Sequence, residues 1–453
     1  MEGWCPDLSG FAGPKYRAVA DALADAVDRG ELRPGERLPP QRTLASRLGF
    51  DLTTITKAYD RARRNGLIDT RGRAGSFVVE PARASAPAAH LVDTGMNCPP
   101  LAPQGLLQRA LAEAFQEAIA GGDTASLQYQ RLGGAPEVRA AGAALLGRIG
   151  LASAVDQVVV AAGGQNALHA ALRAGLRSGD RVACGRFVYP GFIALAQRLS
   201  LELVPLPQMT AEALEGACRE GPIQALYVVP TNNNPTTETV PAAERAAIAE
   251  AARRQDIQII EDDAYGLLPA DRLPPIASFA PERSWYILST SKIVSPALRV
   301  AFTRAPGVSQ ALRIAADVHE TAVMAPPINA AIVAKWLRDG TFDRLVAATR
   351  DEAAARQKLA RPLLGSSHYA SHAQGYHLWL TLPEQVSAAE LSRELNAAGI
   401  GSVPSDRFAA GKSSLQALRI SLGGPIDRAG LCTSLRVLEG HVNGSVQRWD
   451  ALV

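Results

Sequence analysis

Ser289-Thr290-Ser291-Lys292, with Arg299 seven positions further on, is the stretch of this chain best equipped for covalent chemistry. A partly desolvated lysine amine is a nucleophile toward a carbonyl carbon and can hold it as an imine. The hydroxyls of Ser289 and Ser291 and the guanidinium of Arg299 are donors that suit a phosphate dianion. A second set of groups fits the same anion. Gly163-Gly164-Gln165-Asn166-Ala167-Leu168 falls between a predicted strand and a predicted helix. The backbone N–H groups of Gly164 and Gln165, with the helix dipole behind them, can therefore face a phosphate.

The elements that must position these groups follow an alternating α/β pattern. Apolar strand candidates cover 158–162, 181–184, 201–206, 225–229, 257–261, 285–288 and 299–303. Helical periodicity separates most of them, as over 165–176 and 242–254. Alternation of this kind predicts a mainly parallel sheet with helices on both faces. From Tyr376 onward a further set, 377–382, 388–398 and 417–422, predicts a smaller α+β subdomain.

The N-terminal part reads differently. Tyr16, Val19, Ala20, Leu23, Ala26 and Val27 repeat with a helical period over 14–28. Pro39-Pro40 opens a second short helix over 41–47, closed at Gly49. A third runs over 53–65, with Asp51 or Thr53 as cap and Gly66 as terminator. Residues 67–70 and 76–79 alternate around Arg71-Gly72-Arg73-Ala74-Gly75, the pattern of a β-hairpin. Three helices and a hairpin make a winged helix, placed over 11–80. An Ala-, Pro- and Ser-rich tether follows over 81–93, and the large α/β domain occupies 94–445.

At 453 residues the chain has room for two or three domains. Residues 11–80 carry 13 Lys and Arg against 9 Asp and Glu, whereas the rest carries 34 against 35. The positive excess is local to the N-terminal module, where it suits contact with phosphates. Five scattered cysteines contain no C-x-x-C pair, which predicts neither a zinc site nor a disulfide framework and suits a reduced, cytoplasmic compartment. No apolar run is long enough to predict a membrane span.

Both modules resemble known families. Gly35-Glu36-Arg37-Leu38-Pro39-Pro40-Gln41-Arg42-Thr43-Leu44-Ala45 resembles the G-x-x-L-P-S-x-R-x-L-A signature of GntR regulators. Thr53-Thr54-Ile55-Thr56-Lys57-Ala58-Tyr59 is similar to their recognition-helix core, T-T-V-x-x-A-Y. The resemblance implies a helix in the major groove, with Arg42, Thr53, Thr54 and Lys57 as DNA contacts. The wing departs from the pattern, since Ala74 stands where the first of two close glycines is usual.

The lysine segment looks like the aldimine lysine and phosphate clamp of fold-type I pyridoxal 5′-phosphate (PLP) enzymes. That resemblance implies a Schiff base on Lys292, with Gly164, Gln165, Ser289, Ser291 and Arg299 at the cofactor phosphate. Asp262-Asp263-Ala264-Tyr265 matches the D-x-x-Y pattern of aminotransferases, which assigns Asp262 to the pyridine nitrogen and Tyr265 to the phenolic oxygen. Asn234-Pro235-Thr236 resembles their N-P-T-G turn, so Asn234 joins Tyr265 at that oxygen, but Thr237 replaces the glycine. Tyr189 is expected to stack on the ring, and Tyr129 to reach the phosphate of a partner subunit. Arg419 resembles the arginine that binds a substrate's α-carboxylate, and its fork of donors would take a sulfonate equally well.

Taken together, the chain resembles the MocR subfamily of GntR regulators. The expectation is a head-to-tail homodimer that binds promoter DNA and senses an amino compound when it displaces Lys292 from the cofactor, without net turnover. An active aminotransferase carrying a DNA-binding domain, and a regulator that responds to PLP itself, are the alternatives.

Overall fold

The computed structural model describes residues 4–8, 13–28, 31–33, 35–64, 67–70, 75–78, 96–102, 105–120, 125–365 and 368–450. The chain divides into two units, Met1–Val92 and Asp93–Val453. The predicted tether 81–93 and hairpin tip 71–74 lie outside the described residues, as do Asn65, Gly66 and Val79.

In the first unit, helices Lys15–Asp28, Gln41–Leu48 and Leu52–Arg64 pack on a two-stranded antiparallel sheet, Ile68–Thr70 against Ser76–Val78. The helical repeat of the first helix delivers Val19, Leu23 and Ala26 to a core shared with Leu44, Ile55, Ala58, Tyr59, Ile68 and Val78. Gly49 adopts a left-handed conformation (φ 65) and closes the second helix through its N–H to the carbonyl of Ala45. Tyr59 Oη donates to the carbonyl of Pro39 at 2.8 Å, and Thr56 Oγ1 to Gln41 Oε1 at 2.8 Å. These two bonds fix the third helix against the entry to the second.

The second unit is built on a seven-stranded sheet. Its spatial order is Val158–Ala161, Ala301–Arg304, Ser284–Ser289, Gln258–Asp262, Ala225–Val228, Arg181–Gly185 and Glu202–Leu206. All neighbours run parallel except Ala301–Arg304, which is antiparallel to both of its partners. Leu168, Leu172, Ile314 and Val318, from helices Gly164–Gly175 and Val308–Ala322, bury against Val159, Ile260 and Ile287. Val160, Leu288 and Phe302 pack instead with Leu145, Trp336 and Phe342. Burial on both faces explains the near-continuous apolar strands.

One predicted boundary is corrected. Arg299 does not begin a strand, because it stands in a left-handed conformation (φ 51) after the 3-10 turn Pro296–Leu298. The strand starts at Ala301, and the reversal before it turns the arginine back toward the neighbouring strand end.

The C-terminal part forms a four-stranded antiparallel sheet in the order Tyr369–Ser371, His377–Thr381, Ala417–Ser421, Ser402–Pro404. Helices Thr341–Leu363, Ala388–Ala397 and Arg428–Asp450 bury Ala360, Leu391, Leu395, Leu431, Leu435 and Leu438 against it. Its first strand precedes the predicted start at Tyr376.

Candidate functional site

Several loops converge at the ends of the large sheet's strands. The chain leaves strand Val158–Ala161, turns at Gly163 (φ 90) and enters helix Gly164–Gly175. Arg299 reaches the same turn and donates from Nη2 to the carbonyl of Ala162 at 2.9 Å. Ser289 and Ser291 share a hydrogen bond of 2.7 Å between their hydroxyls, and a Cβ on Gly164 would stand 3.2 Å from that of Ser289. Gly163, Gly164, Ser289, Ser291 and Arg299 therefore form one cluster at a helix N-terminus, as predicted. The Gln165 side chain points away from that backbone role. Its Nε2 donates to the carbonyl of Gly191 at 3.1 Å, beside the Tyr189 ring that packs on Gly191.

Asp262 ends strand Gln258–Asp262 and accepts a hydrogen bond from Tyr227 Oη at 3.1 Å. Burial pushes its carboxyl up to about 6, opposed by the Tyr227 bond and by the charge of Lys292. Lys292 is pulled down to about 8, chiefly by burial, with Arg419 and Arg299 adding repulsion and Asp262 opposing them. Its Nζ donates to the carbonyl of Asn97 at 2.6 Å. Tyr265 is buried, and its Oη accepts from Asn97 Nδ2 at 3.0 Å. Burial lifts that phenol to about 12.

Asn234 is buried, and its Oδ1 meets no partner among the described residues. Thr237, in the place of the glycine of the N-P-T-G turn, takes the left-handed conformation itself (φ 63) and donates its N–H to the carbonyl of Asn233. The substitution leaves the turn intact. Arg419 is buried on strand Ala417–Ser421, 5.7 Å from the Phe408 ring, and its charge bears on Lys292, Tyr265 and His377. Beside Tyr227 opens a cavity of about 510 Å³ lined in part by Arg186, Phe187, Asn233, Glu238 and Trp379.

Tyr129 is the predicted site residue that stands apart: the residue is 81% exposed. Glu261 and Asp263 are buried and serve the fold. Glu261 accepts the N–H groups of Ile276 and Ala277, and Asp263 accepts from Tyr286 Oη at 3.0 Å. In the first unit Arg42, Thr53 and Lys57 are exposed, whereas Thr54 is half-buried, one turn before buried Ala58 on the same helix face.

Asn97, Tyr227 and His377 escaped the sequence reading. Tyr227 had a weak signal, as the one polar aromatic in an otherwise aliphatic strand. Asn97 sits in Met96-Asn97-Cys98-Pro99-Pro100, with no periodicity to mark it. Its importance comes from contacts with residues 168 to 324 positions away.

The chemistry of the residues gathered here suits PLP. A glycine pair leaves room for an anion between Arg299 and the two serines, a buried carboxylate faces inward, and Asn234 holds an unmatched buried oxygen.

Residues 90–429 match the family described as aminotransferase class I and II, and residues 15–78 match the bacterial regulatory proteins of the gntR family. The chain is 30% identical over 434 residues to the uncharacterized HTH-type transcriptional regulator YdeF of Bacillus subtilis, covering 93% of each protein. It is 26% identical to the HTH-type pyridoxine biosynthesis transcriptional regulator PdxR of Corynebacterium glutamicum, over 77% of this chain and 78% of that one. The fold resembles LysN, the α-aminoadipate aminotransferase of Thermus thermophilus (TM-score 0.71, 25% identity, 79% of this chain and 92% of that one). With a GntR-type helix-turn-helix ahead of a complete aminotransferase fold, the chain belongs to the MocR-type GntR transcriptional regulators.

Proposed function

We propose that this PLP-dependent transcription regulator senses a small amino acid or amino sulfonate by exchange of amines at Lys292. One observation carries the reading. A buried aspartate and a buried arginine both bear on the charge of a half-buried lysine amine, in a chain whose DNA-binding helices expose Arg42 and Lys57.

Bound in this pocket, PLP supplies an electrophilic aldehyde carbon that the amine of Lys292 or of a ligand can hold in turn. Lys292 suits that part because burial brings its amine to about 8, so an appreciable share is neutral and nucleophilic near neutral pH. Asp262 suits the pyridine nitrogen: at about 6 it is mainly ionised at pH 7 and can keep a ring proton in place. Tyr265 and Asn234 are assigned to the phenolic oxygen and Tyr189 to the ring face. Ser289, Ser291, Arg299 and the N–H groups of Gly164 and Gln165 are assigned to the phosphate. Arg419 is assigned to the ligand's carboxylate or sulfonate.

A ligand shifts a regulator only through unequal affinity for its two states. If a ligand's amine took the place of Lys292 at the cofactor, the lysine amine would be freed beside Arg419 and Asp262, and its charge there would supply the inequality. Exposed Tyr129 suits a role at the partner subunit's phosphate in a head-to-tail homodimer. In the first unit, Arg42, Thr53, Thr54 and Lys57 are assigned to promoter DNA.

The test is Lys292→Ala. The variant should yield no cofactor adduct after borohydride reduction, should still bind promoter DNA, and should no longer respond to amino compounds. A response that survives the substitution would overturn the reading.

A further inference from the structure

A buried hydrogen-bonded chain links the C-terminal sheet to the cofactor lysine, and its polarity can be worked out from one end. His377 Nε2 faces the carbonyl oxygen of Asn233 at 3.1 Å. A carbonyl only accepts, so Nε2 carries the proton and Nδ1 of the neutral ring must accept. Burial holds this imidazole down to about 3, so it stays neutral through the working range. Its Nδ1 meets Asn97 Nδ2 at 3.2 Å, which makes the nitrogen of the Asn97 amide the donor on that side. Ser421 Oγ donates to Asn97 Oδ1 at 2.9 Å, in agreement. The second Asn97 N–H goes to Tyr265 Oη at 3.0 Å.

Tyr265 Oη thus accepts from Asn97 and keeps its own proton to give, with the Tyr376 hydroxyl as the neighbouring acceptor that the Asn97 bond must aim it away from. The neighbouring hydroxyl of Tyr376 spends its proton on the carbonyl of Lys292 at 2.8 Å. Asn97 also touches Lys292 directly, through its carbonyl at 2.6 Å from Nζ. Both side chains of the cofactor chemistry therefore lean on one buried asparagine.

We propose that Asn97 is a positioning residue whose amide, oriented by His377 and Ser421, directs the Tyr265 proton into the cofactor site. The proposal rests on the PLP reading above. A donor aimed at the cofactor's phenolic oxygen stabilises negative charge there and lowers the basicity of the adjoining lysine nitrogen. Loss of aim raises it. The charged and titratable groups facing this pair are Asp262, Arg299, Arg419, Tyr189, Tyr376, Cys98 and His377, and none of them changes in the variants below.

The experiment is a pH titration of the bound cofactor's visible absorption in full-length protein loaded with PLP. Wild type, Asn97→Ala, Tyr265→Phe and the double variant are compared, with borohydride trapping on Lys292 and thermal melting alongside. Asn97→Ala should raise the apparent pKa by about half a pH unit, on the order of one lost neutral hydrogen bond. In the Tyr265→Phe background the same substitution should add no shift. Ser421→Ala, which frees the amide to swing, should give a smaller shift with the same dependence on Tyr265, and it carries the test if Asn97→Ala does not fold. Trapped cofactor with no shift, or an equal shift without the Tyr265 hydroxyl, would overturn the proposal alone. No trapped cofactor in the wild type would overturn the PLP reading and this proposal with it.

Discussion

The guanidinium of Arg299 lies so close to the backbone of Gly163 that a methyl group on that glycine would stand 2.7 Å from its central carbon. Two backbone reversals make the approach: a left-handed Gly163 at the helix entry and a left-handed Arg299 after its 3-10 turn. Gly163→Ala should therefore displace the arginine and strain the turn. We expect PLP affinity to fall about tenfold or more, for ~1–3 kcal/mol of local strain and clash. Fluorescence titration of the cofactor measures it.

Attachment of PLP should speed up with pH. The neutral lysine amine is the attacking form, and burial brings its midpoint to about 8. The rate should rise through about 8 and level off above it. A stopped-flow series on the visible absorption of the bound cofactor gives the midpoint; one near the free-lysine value would refute the assignment.

Asp262 trades stability for cofactor binding. Its native midpoint is raised from 3.8 to about 6, so between those values the folded state holds more protons than the unfolded one, and stability falls as pH rises. In cofactor-free protein, Asp262→Asn should remove this loss. Its melting temperature should exceed that of wild type above pH 6 and converge with it below pH 4, values on the order of the two midpoints. The same substitution should abolish tight PLP binding.

Arg419→Lys is not a conservative change at a buried site meant for a forked anion. PLP should still be trapped on Lys292. The ligand concentration that perturbs the cofactor spectrum should rise about tenfold or more, as when one strong bidentate pair is lost.

On the DNA side, Lys57→Ala and Arg42→Ala should each weaken promoter binding and reduce the salt slope by about 1. Tyr59→Phe should act through stability. It removes the buried bond to the Pro39 carbonyl and should cost about 1 kcal/mol in a melt of the first unit's transition.

Local chemistry was legible in the amino-acid order. The helical repeat of 14–28, the stop at Gly49, the strand-to-helix turn at Gly163-Gly164 and the serines beside Lys292 all depend on near neighbours, and each stands where its residues suggest. Arg299 stood out in the sequence as a candidate phosphate ligand but was placed on a strand, whereas it takes a left-handed turn and donates to the distant Ala162 carbonyl. Thr237 shows the reverse. Packing imposes on a threonine the backbone conformation that glycine adopts freely.

By itself, then, the order of residues determined the two modules, the alternating α/β pattern and the candidate lysine with its neighbouring hydroxyls, since periodicity and short motifs are properties of adjacent residues. Only the tertiary structure decided that Asn97, Tyr227 and His377 enclose that lysine and its partners. Burial shifts the titration of Lys292 and Asp262, and burial arises from contacts between segments far apart in the chain.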